Sequence, residues 1–329
     1  MADQYKDIRA YRAGGLLQVA DFLLVMPSLY CLSLRTSDGV RLDMQCSKDD
    51  LKHGALFLSN HRDIVMDAAW LSMLLRYRLN IRPYMGIGNN LYGRWWLRVF
   101  FRLNRCFTVV RDGSPRELLQ HSQHLSDYMH HLRSRGKSIW LAQREGRAKD
   151  GNDRTQEAVL KMLTLGGSCG SVFDAIRRMN ICPTSISYEY DPCDYLKAAE
   201  MQLKRDNPDW KKTKEDDIFS MRTGVFGRKG KVMYRITPSI NHWLDLHQAE
   251  LETLPRNRQL QEIARQIDRQ IHAAYEIYPR GKAFDDYIES RLALIDIPHK
   301  DTAFLRDKLY EMYNNPVINH ENCNLSGEL

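Results

Sequence analysis

The chain has 329 residues, of which 43% are hydrophobic, and a formal net charge of +7. A chain of this length and composition can bury a full core and is long enough for one large domain with an extension, which excludes intrinsic disorder. The seven cysteines are odd in number and include no Cys-x-x-Cys pair. We therefore expect reduced thiols in a cytosolic compartment and no zinc site.

The N-terminal part of the chain lacks the apolar core of a secretory signal. Residues 15–34 come closest to a membrane span, but Gln18, Asp21 and Pro27 interrupt them. We expect residues 1–45 to form an amphipathic, membrane-proximal segment whose helix lies on or dips into a bilayer. A buried helix of the globular fold is the alternative.

Along the middle of the chain, strand and helix patterns alternate in the way that is typical of an α/β fold. We predict a mixed central sheet flanked by helices. The clearest helix start is Ser114-Pro115-Arg116-Glu117, which offers an N-cap, a proline in the first turn and a capping-box glutamate. The predicted strands are 55–58, 82–87, 106–110, 138–142, 181–188 and 231–240, and the other predicted helices between them include 67–75 and 91–103.

After about residue 245 the pattern is helical only. One predicted helix carries an apolar stripe made of Leu260, Ile263, Ile267, Ile271 and Ala274. We expect residues 246–329 to form a C-terminal helical extension packed on the main domain, residues 46–245. The tail from Asn314 onward is predicted to be loose.

The positive charge is concentrated in one stretch of the chain. Between Asp67 and Asp112 there is no acidic residue, and eight arginines are interleaved with aromatic side chains. This mixture suits the interface of an anionic membrane, a single-stranded nucleic acid, or a solvated basic helix whose rings lie in the core. The residues are Arg76, Arg78, Arg82, Arg94, Arg98, Arg102, Arg105 and Arg111, with Trp95, Trp96, Phe100, Phe101 and Phe107.

A histidine with two acidic neighbours follows the predicted strand 55–58. Residues 59–67 read Ser-Asn-His-Arg-Asp-Ile-Val-Met-Asp. An imidazole at the turn from a strand into a helix would face a cleft. A carboxylate on its Nδ1 would then fix the tautomer and leave Nε2 free to act as a general base. Asp63 and Asp67 both have suitable spacing from His61, and a histidine that only caps the helix is the alternative.

Three further motifs follow or enter predicted strands. Arg111 comes directly after the third strand, and residues 143–147, which follow the fourth, read Gln-Arg-Glu-Gly-Arg. A glycine lets the backbone approach a ligand closely, and arginines can fork around phosphate oxygens. A solvated turn is the alternative for this loop. Pro183 enters the fifth strand, where a missing N–H is tolerated.

The order of these motifs resembles the four sequence blocks of the glycerol-phosphate and lysophosphatidate acyltransferase superfamily. The resemblance covers roughly residues 55–190. It implies that His61, paired with an aspartate, activates a glycerol hydroxyl that attacks an acyl thioester. The family normally has four residues between these two side chains, whereas five separate His61 from Asp67 and one separates it from Asp63. We favour Asp67, because the sequence after it looks like the family's next helix.

The same resemblance assigns the substrate-binding residues. Arg111 matches the arginine that closes the second block, and Glu145, Gly146 and Arg147 match the third, with Pro183 in the fourth. The resemblance implies that the two arginines bind the phosphate of the acceptor, that the glycine gives it room, and that the glutamate orients the arginines. The third block lacks its usual threonine and the proline that precedes the glutamate.

The resemblance therefore implies an O-acyltransferase that moves a fatty acyl group from acyl-CoA or an acyl carrier protein to a hydroxyl of a glycerol-phosphate or lysophospholipid. It implies no metal and no tightly bound cofactor, and we expect no nucleic-acid partner. We expect a peripheral protein at the cytoplasmic face of a membrane. The alternative is a catalytically inactive membrane- or nucleic-acid-binding protein of the same fold.

Overall fold

The strands of the computed structural model belong to one mixed sheet. The model describes residues 26–89, 101–102 and 104–325. Within these residues the sheet has seven strands, namely β1 Val40–Met44, β2 Leu56–Ser59, β3 Tyr84–Gly88, β4 Cys106–Val109, β5 Ile139–Ala142, β6 Ile181–Tyr188 and β7 Val232–Ile236.

Helices connect and flank these strands. In the part of the chain that the structure describes, they are α1 Met26–Thr36, α2 Lys48–Lys52, α3 Met66–Leu79, α4 Pro115–Ser134, α5 Glu157–Leu163, α6 Val172–Met179, α7 Asp194–Asp206, α8 Lys214–Phe226, α9 Ile240–Leu251, α10 Arg256–Ala273, α11 Lys282–Ala293 and α12 Thr302–Leu325.

The strand order across the sheet is β1-β7-β6-β2-β5-β3-β4. All neighbouring strands are parallel except β6 and β7, which are antiparallel. The predicted mixed α/β sheet flanked by helices is therefore confirmed. Because β2 to β6 all run in one direction, their carboxyl ends meet at one edge of the sheet, where ligands bind in open α/β folds.

Side chains of the central strands alternate between two helical layers. Leu56 and Leu58 of β2 pack among residues of α4, α5, α6, α9 and α10, which we call the first layer. Phe57 points the other way and packs with α3, with Leu32 of α1 and with Val225 of α8, which form the second layer. This alternation follows from the pleat of a strand, and burial on both faces explains why β2 and β6 are continuously buried.

Several predicted elements are found with shifted or corrected bounds. The capping box forms, since Ser114 Oγ accepts a hydrogen bond from the N–H of Glu117 and Glu117 Oε2 accepts one from the N–H of Ser114. The strand predicted over 231–240 ends at Ile236, because Ser239 caps α9 and redirects the chain. Strand β1 was not predicted, because its five residues mix charged and apolar side chains.

The C-terminal helices pack on the sheet and on one another. The predicted stripe of α10 is buried in the first layer. Helices α7, α11 and α12 share a separate apolar cluster. The prediction of a loose tail is wrong for residues 314–325, which continue α12. The reason is tertiary contact, since Asn319 accepts a hydrogen bond from Arg154 and His320 bonds the carbonyl of His272. The division of the chain at residue 245 stays a prediction.

Some predictions fall on parts of the chain outside the described residues. These are the portion of the 15–34 helix before residue 26, and most of the 91–103 helix with Arg94, Arg98, Trp95, Trp96 and Phe100. Within the described ranges, none of the helices has both the length and the apolar character needed to cross a membrane.

Candidate active site

The end of β2 is held rigidly before the chain reaches His61. The side-chain amide of Asn60 donates to the carbonyl of Ile186 at 2.9 Å and accepts from its N–H at 2.7 Å. The Asn60 side chain thereby continues the hydrogen bonding between β2 and β6 just beyond the end of β2. The indole N–H of Trp140, on β5, donates to Ser59 Oγ at 3.0 Å. Both neighbouring strands therefore fix the position from which His61 projects.

His61 and Asp67 form a hydrogen-bonded pair. His61 Nδ1 lies 2.9 Å from Asp67 Oδ2, and both side chains are buried. A carboxylate can only accept, so Nδ1 carries the proton and Nε2 presents a lone pair. Among described residues, none hydrogen-bonds Nε2. The edge of the Trp140 ring packs against the imidazole, with 6.2 Å between ring centroids. This arrangement suits a general base.

Asp67 is held by three groups besides the imidazole. The main-chain N–H groups of Arg62 and Asp63 donate to Oδ2 at 2.7 and 3.0 Å, and the Tyr188 hydroxyl donates to Oδ1 at 2.8 Å. Asp67 also lies in the first turn of α3, where the helix dipole favours a negative charge. These contacts stabilise the carboxylate in a position that no water reaches.

Asp63 has a different position from Asp67. Its Oδ1 accepts hydrogen bonds from the N–H groups of Val65 and Met66, at 2.9 and 2.7 Å, and so begins α3. Burial, reinforced by the charge of Asp67, raises its pKa. The five-residue spacing between His61 and Asp67 is accommodated by the turn at 62–65, whose N–H groups point at the carboxylates.

Arg147 lies close to Asp63 and not on the open surface. Burial lowers the pKa of its guanidinium, but the neighbouring Cys193, Asp63 and Asp191 outweigh that effect and leave the pKa raised. Buried Lys197 donates to the carbonyl of Arg62 at 3.0 Å and pairs with Asp191. Lys197 therefore attaches the loop after β6 to the His61 turn.

Arg111 and Glu145 meet at the same edge of the sheet, and both side chains are reached by solvent. Arg111 Nε lies 3.9 Å from Glu145 Oε1, and the side chains are 27% and 65% exposed. Gly146 has a φ of +68°, which favours glycine, and a Cβ there would meet no atom within 4 Å. An acidic ligand approaching this loop would therefore find both open space and an available cation.

Two contributors at this site were not found from the sequence. Tyr188 is 121 positions from Asp67, and nothing in its surroundings marks it as a hydrogen-bond donor to that residue. Arg62 is buried and lies 3.9 Å from Asp153 Oδ2, which ties the His61 turn to the loop after β5. Its place next to His61 was the available signal, since a charged residue between strand and helix needs a counterion when it is buried.

The loop after β5 is anchored from the C-terminal side. Thr155 donates through its N–H and its hydroxyl to Asp268 Oδ1, at 2.7 and 2.6 Å. The hydroxyl is thus committed to α10. In the described part of the chain, no cluster of His, Cys, Asp or Glu side chains is arranged to hold a metal ion.

Comparisons with known proteins bear on the fold alone. No protein-family model and no curated protein sequence matches the chain. Among solved structures, it is similar to the crystal structure of the 1-acyl-sn-glycerophosphate (LPA) acyltransferase PlsC from Thermotoga maritima. The TM-score is 0.41 and the identity 10%, over 80% of this chain and 91% of that one. At this level the likeness says nothing about substrate, so function has to be argued from the site.

Proposed function

We propose that this protein is an O-acyltransferase that moves a fatty acyl group from a thioester, acyl-CoA or acyl carrier protein, to a hydroxyl of a glycerol-phosphate or lysophospholipid. The observation that carries the proposal is the buried His61–Asp67 pair. The Nδ1 atom of His61 is hydrogen-bonded to the carboxylate, and its Nε2 atom is hydrogen-bonded to no residue that the structure describes. The order of the four sequence motifs supports the same chemistry.

In the proposed reaction His61 Nε2 accepts the proton of the acceptor hydroxyl as its oxygen attacks the thioester carbonyl carbon. Asp67 stabilises the imidazolium that forms. The tetrahedral intermediate then collapses, the C–S bond breaks, and the imidazolium returns its proton to the departing thiolate. The products are an ester and a free thiol. General-base help of this kind is worth roughly 10²- to 10⁴-fold in rate.

We further propose that Arg111 binds the acceptor phosphate. Its partly exposed position and long ion pair with Glu145 leave it able to change partner. Arg147 supports the same anion indirectly, because Asp63 already offsets its charge. The reaction is proposed to take place at the cytoplasmic face of a membrane, with the protein bound peripherally.

The test is acyl transfer by the purified full chain. Labelled acyl-CoA and acyl carrier protein are offered with a panel of glycerol 3-phosphate and lysophospholipids, and products are identified by mass. His61→Ala should lower the rate by roughly 10²- to 10⁴-fold. The matched control is His121→Ala, at an exposed histidine of α4. Equal rates for the two variants, or no transfer by the wild type to any acceptor, would support an inactive binding protein instead.

A further inference from the structure

Helix α8 has two faces of opposite character. Its buried face is made of small residues, and a Cβ added to Gly224 would lie 1.9 Å from Asp63 Oδ2. The carbonyl of Ser220 accepts a hydrogen bond from the Cys193 thiol at 3.3 Å. Both contacts lie beside the turn that carries His61. Helix α8 therefore packs against the His61 turn at Asp63, and this close contact couples the position of the helix to that of Asp63.

The opposite face of α8 is apolar and open to solvent. Ile218, Phe219 and Phe226 are 48%, 50% and 67% exposed. Phe219, Arg222 and Phe226 are separated by three and four positions, which places them in one stripe along the helix, with Ile218 at its side. Two phenylalanine rings and an isoleucine, each about half exposed or more on one side of a helix, form an apolar patch of the kind that marks a binding surface.

Helix α1 contacts α8 and shows the same combination. Tyr30 and Leu34 are one helical turn apart and exposed, and Arg35 is exposed next to them. The chain enters α1 from the apolar run that the sequence analysis assigned to a bilayer surface. Two segments that are distant in sequence, residues 26–36 and 214–226, thus bring apolar and basic side chains to neighbouring helices.

Helix α8 carries acids as well as bases, but the exposed charges of the two helices are mostly cationic: Lys214 and Arg222 of α8 and Arg35 of α1, against Glu215 of α8. Asp216 accepts hydrogen bonds from Thr213 at the helix start, and Asp217 pairs with Lys212 at 3.1 Å. Arg222 forms no ion pair with any residue that the structure describes. It lies in the apolar stripe between the two phenylalanines, where a protein partner would have to supply a buried counterion. At a bilayer interface the rings sink to headgroup depth while the guanidinium reaches lipid phosphates.

We propose that the exposed face of α8, assisted by α1, docks on an anionic lipid surface and thereby brings the His61 turn next to the membrane that holds its acceptor. The inference deepens the proposed function, because docking explains how a lipid acceptor reaches the site. Vesicle binding, however, needs no catalysis, so the two proposals can fail separately.

The experiment is flotation of the full chain with phosphatidylcholine vesicles, with and without about a third of phosphatidylglycerol. Phe219→Ser/Phe226→Ser should lower the fraction bound to anionic vesicles at least tenfold, since two rings lose their burial. The matched control is Leu119→Ser/Leu246→Ser, at side chains 59% and 81% exposed on α4 and α9 of the first layer. The control should bind as the wild type does.

Two further variants make the result specific. Arg222→Gln should weaken binding about fivefold at low salt and flatten its salt dependence, because one cation near a charged surface is lost. Phe226→Trp should keep binding and show a blue shift of emission on vesicles, which also establishes that α8 tolerates substitution there.

The outcomes separate the proposals. Equal binding by the Phe219/Phe226 pair and its control would overturn the docking surface, even if His61→Ala abolishes acyl transfer. If the wild type is a dimer and the Phe219→Ser/Phe226→Ser variant is a monomer, this face binds a second copy of the chain, and the lipid-docking proposal is overturned. Loss of vesicle binding with unchanged transfer to a short, water-soluble acceptor would support it.

Discussion

The His61–Asp67 pair and the Arg111–Glu145 pair lie at the same edge of the sheet but are built in opposite ways. Four groups donate to Asp67, and both members of the first pair are buried. The second pair spans 3.9 Å, with a half-buried arginine and an exposed glutamate. The first pair is set in position by the fold before any ligand arrives, whereas the second can rearrange around one.

This difference separates two tasks. A proton-transfer group has to hold its geometry, because small displacements are costly in rate. A group that recognises a phosphate can remain solvated until the ligand arrives, since exposed ion pairs contribute at most about 1 kcal/mol. Substitutions at the first pair should therefore change kcat, and those at the second should change KM.

The largest expected effect is at Asp67. Asp67→Asn removes the acceptor that fixes the His61 tautomer, and we expect kcat to fall by roughly 10³- to 10⁴-fold while the fold is retained. Steady-state kinetics with circular dichroism would measure both. The control is Asp63→Asn, which weakens the start of α3 but leaves the His61 contact. A comparable fall in kcat for a stably folded Asp63→Asn would show that the two carboxylates have been assigned the wrong way round.

A second prediction concerns the anchoring of the loop after β5. Burial lowers the pKa of His272 from 6.5 to about 4, and its neutral ring bonds the carbonyl of Asp153 at 2.8 Å. The unfolded state binds the proton more readily, so stability is lost as the pH falls from about 6.5 towards 4. At pH 5, His272→Gln should reduce this loss in the free energy of unfolding by about 2 kcal/mol, measured by urea unfolding.

Asp268 supplies the control for that measurement. Burial raises its pKa from 3.8 to about 6, so the folded state binds the proton more tightly, and stability is gained as the pH falls through this range. Asp268→Asn should therefore make the free energy of unfolding fall more steeply as the pH is lowered. His272→Gln should have the opposite effect. Parallel stability curves for both variants and the wild type would mean that neither group titrates differently on folding.

A third prediction is at Tyr188. Tyr188→Phe removes one donor from Asp67 and leaves the other three, so we expect kcat to fall about tenfold with KM unchanged. Tyr234→Phe is the comparison, because its hydroxyl donates to the main-chain carbonyls of Met66 and Asp67 and not to the Asp67 carboxylate. If the two variants lose activity equally, Tyr188 acts through packing and not through the carboxylate.

The smallest effects are expected at the exposed pair. Arg111→Gln should raise KM for a phosphate-bearing acceptor a few-fold with little change in kcat, and the effect should shrink as salt is added. Glu145→Gln should leave KM unchanged or lower it, because it frees the arginine. A large fall in kcat for Glu145→Gln would instead make that carboxylate part of the proton transfer, and the contrast between the two pairs would not hold.

Local features of the fold were predictable. The capping box at Ser114 and the apolar stripe of α10 depend on residues within a few positions of one another, so the sequence is enough to recognise them. Strand β2 was found because burial on both faces leaves a continuous apolar run at residues 55–58. The α12 tail was not, because its order comes from contacts with Arg154 and His272, far away in the chain.

For the candidate site, the sequence by itself determined that a histidine and two aspartates stand at a strand-to-helix turn, with polar loops after other strands. Only the tertiary structure decided which aspartate reaches Nδ1, because the turn at 62–65 directs its N–H groups to Asp67. It also decided that Tyr188 completes the carboxylate's hydrogen bonds and that half-buried Arg147 lies within the electrostatic influence of Asp63. These contacts join residues that are far apart in the sequence, so their spacing along the chain gives no sign that they meet. Only the packing of the chain brings them together.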